Sequence, residues 1–284
     1  TQLLTCSLAY LLTCSYLRIP NPSEFKTMEI LVLSVLAFSI ALLTFFSGFG
    51  LGTLLTPVFM MYFPVEIAIG LTGVVHFFNN VFKLFLVGRQ ADRTVLLRFG
   101  LPAILAALLG SWLLFLIPNQ HALFMYEIGT KTFSVTPVKF MVALLLLVFA
   151  SIEVIPYFKK LQFDKSKLPI GGFLSGFFGG LSGNQGALRS AFLLRAGLTK
   201  EAFIGSTVVV STFVDCTRLG IYAVNFQNAG LSENLTLLIT VTASGILGSY
   251  IGNRLLKKVT LPALQTGVAL LLFVLALALG LGLV

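Results

Sequence analysis

Long apolar segments follow one another along almost the whole chain, each bounded by Gly, Pro, Asn or clustered charge. They fall near 29–47, 51–62, 66–87, 94–117, 136–158, 168–182, 187–197, 200–224, 232–253 and 260–283. Seven of the ten approach or exceed the ~20 residues that a helix needs to cross a bilayer core. Outer-membrane barrels instead show weak ~10-residue alternating strands. The pattern predicts an all-α polytopic membrane protein, in which helices satisfy their own backbone polar groups.

Composition supports this. The 284 residues are 57% hydrophobic and 10% charged, against about 25% charged in soluble domains. That excludes a cytosolic enzyme, a nucleic-acid-binding module and a disordered chain. The net charge of +9 is read as basic residues retained on the cytoplasmic side, so no nucleic-acid partner is expected. Cys6, Cys14 and Cys216 have no CxxC or His-paired spacing, and the chain has two histidines. No disulfide framework, metal site or cofactor is expected.

Residues 1–27 differ from the rest. The run Leu3–Leu17 is short for a span and lacks a basic flank, and Pro20-Asn21-Pro22 breaks any helix. Met28 then opens a strongly apolar run. We expect 1–27 to be a non-native or unstructured extension.

The remainder repeats. An offset of 135 pairs Ser47-Gly48 with Ser182-Gly183, Glu66 with Glu201, Gly70 with Gly205, Thr72 with Thr207 and Lys83 with Arg218. An offset of 138 pairs Gly110-Ser111-Trp112 with Gly248-Ser249-Tyr250. Residues 28–158 and 168–284 read as two homologous transmembrane repeats, joined by a basic cytoplasmic linker, 159–167. Of 19 Lys and Arg, 12 lie in four stretches: 89–98, 159–167, 195–200 and 254–258. By the positive-inside rule these are cytoplasmic. The turn at 62–66, the stretch 118–136, the loop 225–233 and both termini are then external. Segment 66–87 runs inward and its equivalent 200–224 runs outward, so the repeats are inverted. Each half has three full spans plus a helical hairpin or broken helix with a Gly-rich tip.

Those tips are the candidate site. The second arms are short, so Ser47, Gly48, Gly50 and Gly52 in one half, and Ser182, Gly183, Asn184, Gln185 and Gly186 in the other, fall near mid-membrane. Irregular backbone at that depth is tolerated only inside protein or beside water. Broken helices meeting there are a transporter architecture. A helix beginning near Thr53, and another near Ala187, would aim free N–H groups at a small oxyanion. The competing reading is close helix packing through Gly and Ser. Arg189 is a costly buried cation that favours anions; Leu54 holds the matching place.

Further candidates for coupling or gating are Asp215 and Arg218, three apart on one helical face. His76, Asn79 and Asn80 lie on the equivalent first-half helix. A structural ion pair is the alternative for Asp215 and Arg218, and a packing role is the alternative for His76. Lys83 is expected to snorkel to the cytoplasmic surface. Glu66 and Glu201 are expected to favour their helix starts, and Trp112 and Tyr250 to pack or line the membrane interface.

The run Gly176–Ile204, GFFGGLSGNQGALRSAFLLRAGLTKEAFI, resembles the second-half signature of the sulfite exporter TauE/SafE family. Asp215-Cys216-Thr217-Arg218 is similar to that group, as is Ser47–Pro57, SGFGLGTLLTP, which is poorer in Gly than many members. The resemblance covers about 28–283. It implies a bacterial inner-membrane transporter of sulfur-containing anions such as sulfite or organosulfonates. Mapped here, its signature covers Gly183, Asn184, Gln185, Gly186 and Arg189.

The expected function is a secondary transporter, exporter or uniporter, using alternating access at a midplane site. Its partners are a small anion and the lipid bilayer, with a homodimer left open. An anion channel is one alternative. A rhomboid-like intramembrane serine protease is another, since Gly180-Leu181-Ser182-Gly183 fits its GxSG pattern with His76 or His121 as base.

Overall fold

The computed structural model describes residues 27–47, 50–117, 122–129, 131–155, 165–194, 196–225, 234–255 and 261–283. The expected extension 1–27 therefore lies outside the described residues except for Thr27, as do most of the linker 159–167 and the loop 225–233.

Ten helices carry the described fold. In the first half they are α1 (Thr27–Ser47), α2 (Leu51–Met60), α3 (Val65–Val87), α4 (Leu101–Leu116) and α5 (Pro137–Val154). In the second they are α6 (Leu168–Ser182), α7 (Gly186–Leu193), α8 (Lys200–Asn225), α9 (Leu235–Leu255) and α10 (Leu261–Gly280). Five stretches are long and apolar enough to cross a membrane: Thr27–Phe45, Val65–Gln90, Arg93–Leu116, Lys200–Val224 and Leu235–Leu255. The chain is an all-α polytopic membrane protein. As expected, the second arms are short. The 10 residues of α2 and 8 of α7 reach about 15 and 12 Å at 1.5 Å per residue, half a bilayer core or less.

Local chemistry sets the boundaries. Pro64 precedes α3, with Glu66 in its first turn. Asp92 accepts from the Val95 N–H (3.0 Å) and starts the turn leading through a π-helical step, Leu96–Gly100, into α4. Thr136 accepts from Lys139 N ahead of Pro137 in α5. These are side-chain acceptors for orphan N–H groups, and proline where no donor is needed.

The two halves interlock. Helix α6 packs along α4, and α1 along α9. Helices α3 and α8 pack on one another, as do α5 and α10; α9 also touches α3, while α4 touches α8. Under the 135-type pairing, α1 with α6 and α4 with α9, the two largest inter-half contacts exchange and the α3–α8 and α5–α10 contacts map onto themselves. The α4–α6 seam is backbone on backbone. A Cβ added at Gly172, Gly176 or Gly180 would lie 2.1, 1.9 or 2.3 Å from the carbonyl oxygen of Phe99, Ala103 or Ala107. This is a small-xxx-small stripe that lets helices approach closely.

One element was not expected. The stretch read only as an external loop carries an antiparallel hairpin, β1 (Phe124–Ile128) with β2 (Lys131–Val135), Phe124 opposite Val135. Tyr126 and Phe133 stack at 5.2 Å, and the Tyr126 hydroxyl donates to the Leu281 carbonyl at the end of α10. Five-residue strands leave too little alternation to be seen against apolar neighbours.

Candidate functional site

The two Gly-rich turns meet inside the protein. The first ends at Gly50 (φ +85), where α2 begins; in the second, Gly183 (φ +78) closes α6 and its N–H donates to Gly179 O at 2.9 Å. Both glycines adopt the left-handed region that side chains disfavour. A Cβ on Gly52 would lie 3.4 Å from the Gly183 carbonyl oxygen, and one on Gly183 3.5 Å from Thr56 Oγ1. The turns thus touch. Gly48 lies outside the described residues, as does the Ser47 side chain.

Beside this meeting, α3 and α8 supply a buried polar network centred on Asp215. Its Oδ2 accepts from His76 Nδ1 (2.6 Å) and from Asn80 Nδ2 (2.9 Å). Its Oδ1 accepts from Gln185 Nε2 (3.1 Å) and Arg218 Nε (3.0 Å). The expected Asp215–Arg218 pair is thus part of a wider knot, in which Gln185 ties the second turn to α8. A carboxylate so buried needs such saturation. His76 also faces the first turn: a Cβ on Gly50 would lie 3.0 Å from its Nε2. Asn79, one residue before Asn80, bonds instead to Ser249 of α9.

Arg189 is fully buried. It reaches from α7 to α8, where Nη1 donates to Ser211 Oγ at 2.5 Å, and toward the first turn, where a Cβ on Gly50 would lie 3.6 Å from Nη2. Asn184 is buried with both amide atoms making no hydrogen bond among the described residues. Thr53 is buried in the first turn of α2. Gly186 starts α7. Ser182 turns its hydroxyl onto Phe178 O of its own helix (2.9 Å).

A small pocket, with a cavity volume of about 20 Å³, opens on this group. Gly50, Asn80, Lys83, Arg189, Thr207 and Ser211 contribute polar or backbone wall, and Phe45 and Phe203 apolar wall. It thus gathers residues from the first turn, α3, α7 and α8.

Lys83 corrects an expectation. It does not snorkel: it is 4% exposed, lines the pocket and sits with Nζ 5.3 Å above the Phe45 ring. With its amide turned to satisfy its neighbours, Asn79 presents its oxygen to Lys83 Nζ at 3.2 Å. The packing of α1 and α8 around this end of α3 removes the path to the surface that snorkelling needs. The available signal was the match of Lys83 to Arg218, a cation at corresponding places in both halves. Ser211 and Thr207 were also missed, because hydroxyls are common in membrane helices.

The Sulfite exporter TauE/SafE family model matches residues 33–279. The chain belongs to the TauE/SafE family. The match covers both halves and every candidate residue discussed above. It places the chain among sulfite exporters and anion transporters, and agrees with the apolar helices in making it a multi-pass membrane protein. No curated protein and no solved structure matches the chain. Within this TauE/SafE protein, the Ser–His couple that a rhomboid-like protease requires is not formed between Ser182 and His76, whose Nδ1 is bound to Asp215. His121 lies outside the described residues.

Proposed function

We propose that this TauE/SafE protein is a secondary transporter of small sulfur-containing oxyanions, such as sulfite or an organosulfonate, working by alternating access. The observation that carries the reading is the pocket shared by Arg189 of the second half and Gly50 of the first. A bound anion there would touch both turns at once, so tilting one half against the other would transfer its exposure from one side to the other.

The positive-inside pattern supports a bacterial inner-membrane orientation with both termini external and the basic stretches cytoplasmic. With a negative-inside potential, export of an anion is favoured by about 2.3 kcal/mol per charge per 100 mV. A uniporter could export on that force alone. Import would require a coupling ion, for which the His76–Asp215 couple is the candidate proton carrier. The short second arms and the buried turns support a carrier, which saturates, over an open pore.

The test is efflux from proteoliposomes loaded with sulfite. Saturable efflux is expected, and Arg189→Ala is expected to abolish it while the variant remains folded by its melting curve. Unchanged flux in folded Arg189→Ala protein would remove the pocket from the mechanism. Flux that rises without saturation would replace the carrier with a channel.

A further inference from the structure

The pocket lies toward one end of the molecule, and a buried tyrosine ties the helices together at the other. Helices α3 and α8 run antiparallel. Lys83 and Thr207 share the pocket, and His76 meets Asp215 further along. Beyond them a Cβ on Gly73 would lie 3.1 Å from Leu219 Cδ2 and 3.5 Å from Arg218 Cζ. The pocket therefore sits at the basic end, where α3 runs out toward Arg89 and α8 begins at Lys200. Past Arg218, toward the far end, stands Tyr222, 1% exposed. Its hydroxyl donates to the Gly180 carbonyl at 2.5 Å. Gly180 belongs to the last turn of α6, where a helix leaves its carbonyls without partners of their own. The Tyr222 ring meets Phe115 of α4 edge to face, with centroids 5.7 Å apart. One side chain thus joins α8, α6 and α4 just before the second turn. At the offset of 135 that pairs the turns in sequence, Tyr222 and Gly180 fall on Val87 and Phe45. Phe45 lines the pocket, and valine has no hydroxyl to donate, so the bond has no counterpart at that pair of positions.

We propose that Tyr222 is the latch of the far end: its bond to Gly180 holds the protein in the state whose pocket lies at the basic end, and its release lets the far end open as the pocket closes. The proposal rests on the transporter reading and deepens it. The bond forms in a dry interior, and both partners gain water when α6 and α8 part there. The hydroxyl therefore favours one state over the other, which is what a gate must do. Losing one such bond moves a two-state balance by about 3- to 10-fold. Each end offers a place to read that balance. Thr72 is fully buried beside Gly73, near Arg218, and its hydroxyl makes no hydrogen bond among the described residues. It lies on the Tyr222 side of the Asp215 network. Thr207 lines the pocket on the other side.

The experiment uses the full chain in lipid nanodiscs, with Cys6, Cys14 and Cys216 replaced by Ser. It follows the rate at which a charged, water-soluble methanethiosulfonate modifies one introduced thiol. Thr72→Cys reads the far end and Thr207→Cys the pocket. Adding Tyr222→Phe keeps the ring and removes the donor. It is expected to speed modification at Thr72→Cys by about 3- to 10-fold and to slow it at Thr207→Cys. Adding Phe115→Leu as well removes the edge-to-face contact and is expected to push both rates further the same way. If Tyr222→Phe does not fold, Phe115→Leu alone is read by the same two rates. Unchanged modification at Thr72→Cys overturns the latch. So does a rise at both positions, which marks a protein loosened throughout. A rise at Thr72→Cys with no fall at Thr207→Cys, even in the double substitution, also overturns it, because the two ends are then not coupled. Saturable sulfite efflux from wild-type proteoliposomes alongside any of these results sinks the latch and leaves the transporter reading standing. A wild type that moves no anion sinks both.

Discussion

Replacing Gly183 with Ala tests how tightly the second turn is coupled to the buried ion pair. Two costs are expected there, and a second glycine separates them. Gly183 has φ +78 and Gly197 has φ +71. An alanine at either pays the left-handed backbone penalty, about 1–2 kcal/mol. At Gly197 the added Cβ meets nothing within 4 Å. At Gly183 it would lie 2.8 Å from Arg218 Nη1. The guanidinium must withdraw by roughly half an ångström to reach ordinary contact, yet it is fully buried and its Nε holds Asp215 at 3.0 Å. Overpacking of this kind costs a further ~1–3 kcal/mol, and more if the pair separates. Gly183→Ala is therefore expected to be less stable than Gly197→Ala by about 1–3 kcal/mol. Thermal or denaturant unfolding of both variants in the same detergent gives the difference. Equal destabilisation would show that the turn is free to shift without disturbing Arg218, and would refute the coupling.

Two further substitutions probe the frame. Gly176→Ala places a Cβ 1.9 Å from the Ala103 carbonyl oxygen, and neither backbone can yield without separating α4 from α6. Loss of folded yield or at least ~3 kcal/mol of stability is expected, while Gly220→Ala, with nothing within 4 Å, is expected to be neutral or stabilising in the same unfolding measurement. Asp215→Asn keeps the shape of the hub but leaves Arg218 without its carboxylate. It is expected to cost about 3–5 kcal/mol, read from the melting of purified protein, and a variant as stable as wild type would show that the amides of Asn80 and Gln185 suffice to hold the knot.

Much of the architecture was legible because lipid imposes one rule on every span. A helix that must satisfy its own backbone writes its length into the apolar run, so the segments near 66–87 and 200–224 predicted α3 and α8 closely. The turns were legible because Gly and Ser recur at a fixed offset where a helix would otherwise continue. The site was only partly so. Arg189 and Asp215 stood out as charges in apolar surroundings, but their partners did not. Asp215 draws on Asn80 and His76 from a helix 135 or more residues away, and no local pattern carries such a contact. Lys83 was misread because sequence gives distance from the end of a helix, not what surrounds that end.

The contact between Asn80 and Asp215 limits how alike the two halves can be. These positions are separated by 135 residues, the offset that pairs the turns of the two halves in sequence, and they touch each other. A carboxylate at both positions would set acid against acid there. Two acids at that distance cannot both stay ionised. With the acid at 215, the place at 80 suits a neutral donor such as the Asn80 amide, so the two halves cannot trade residues at this point.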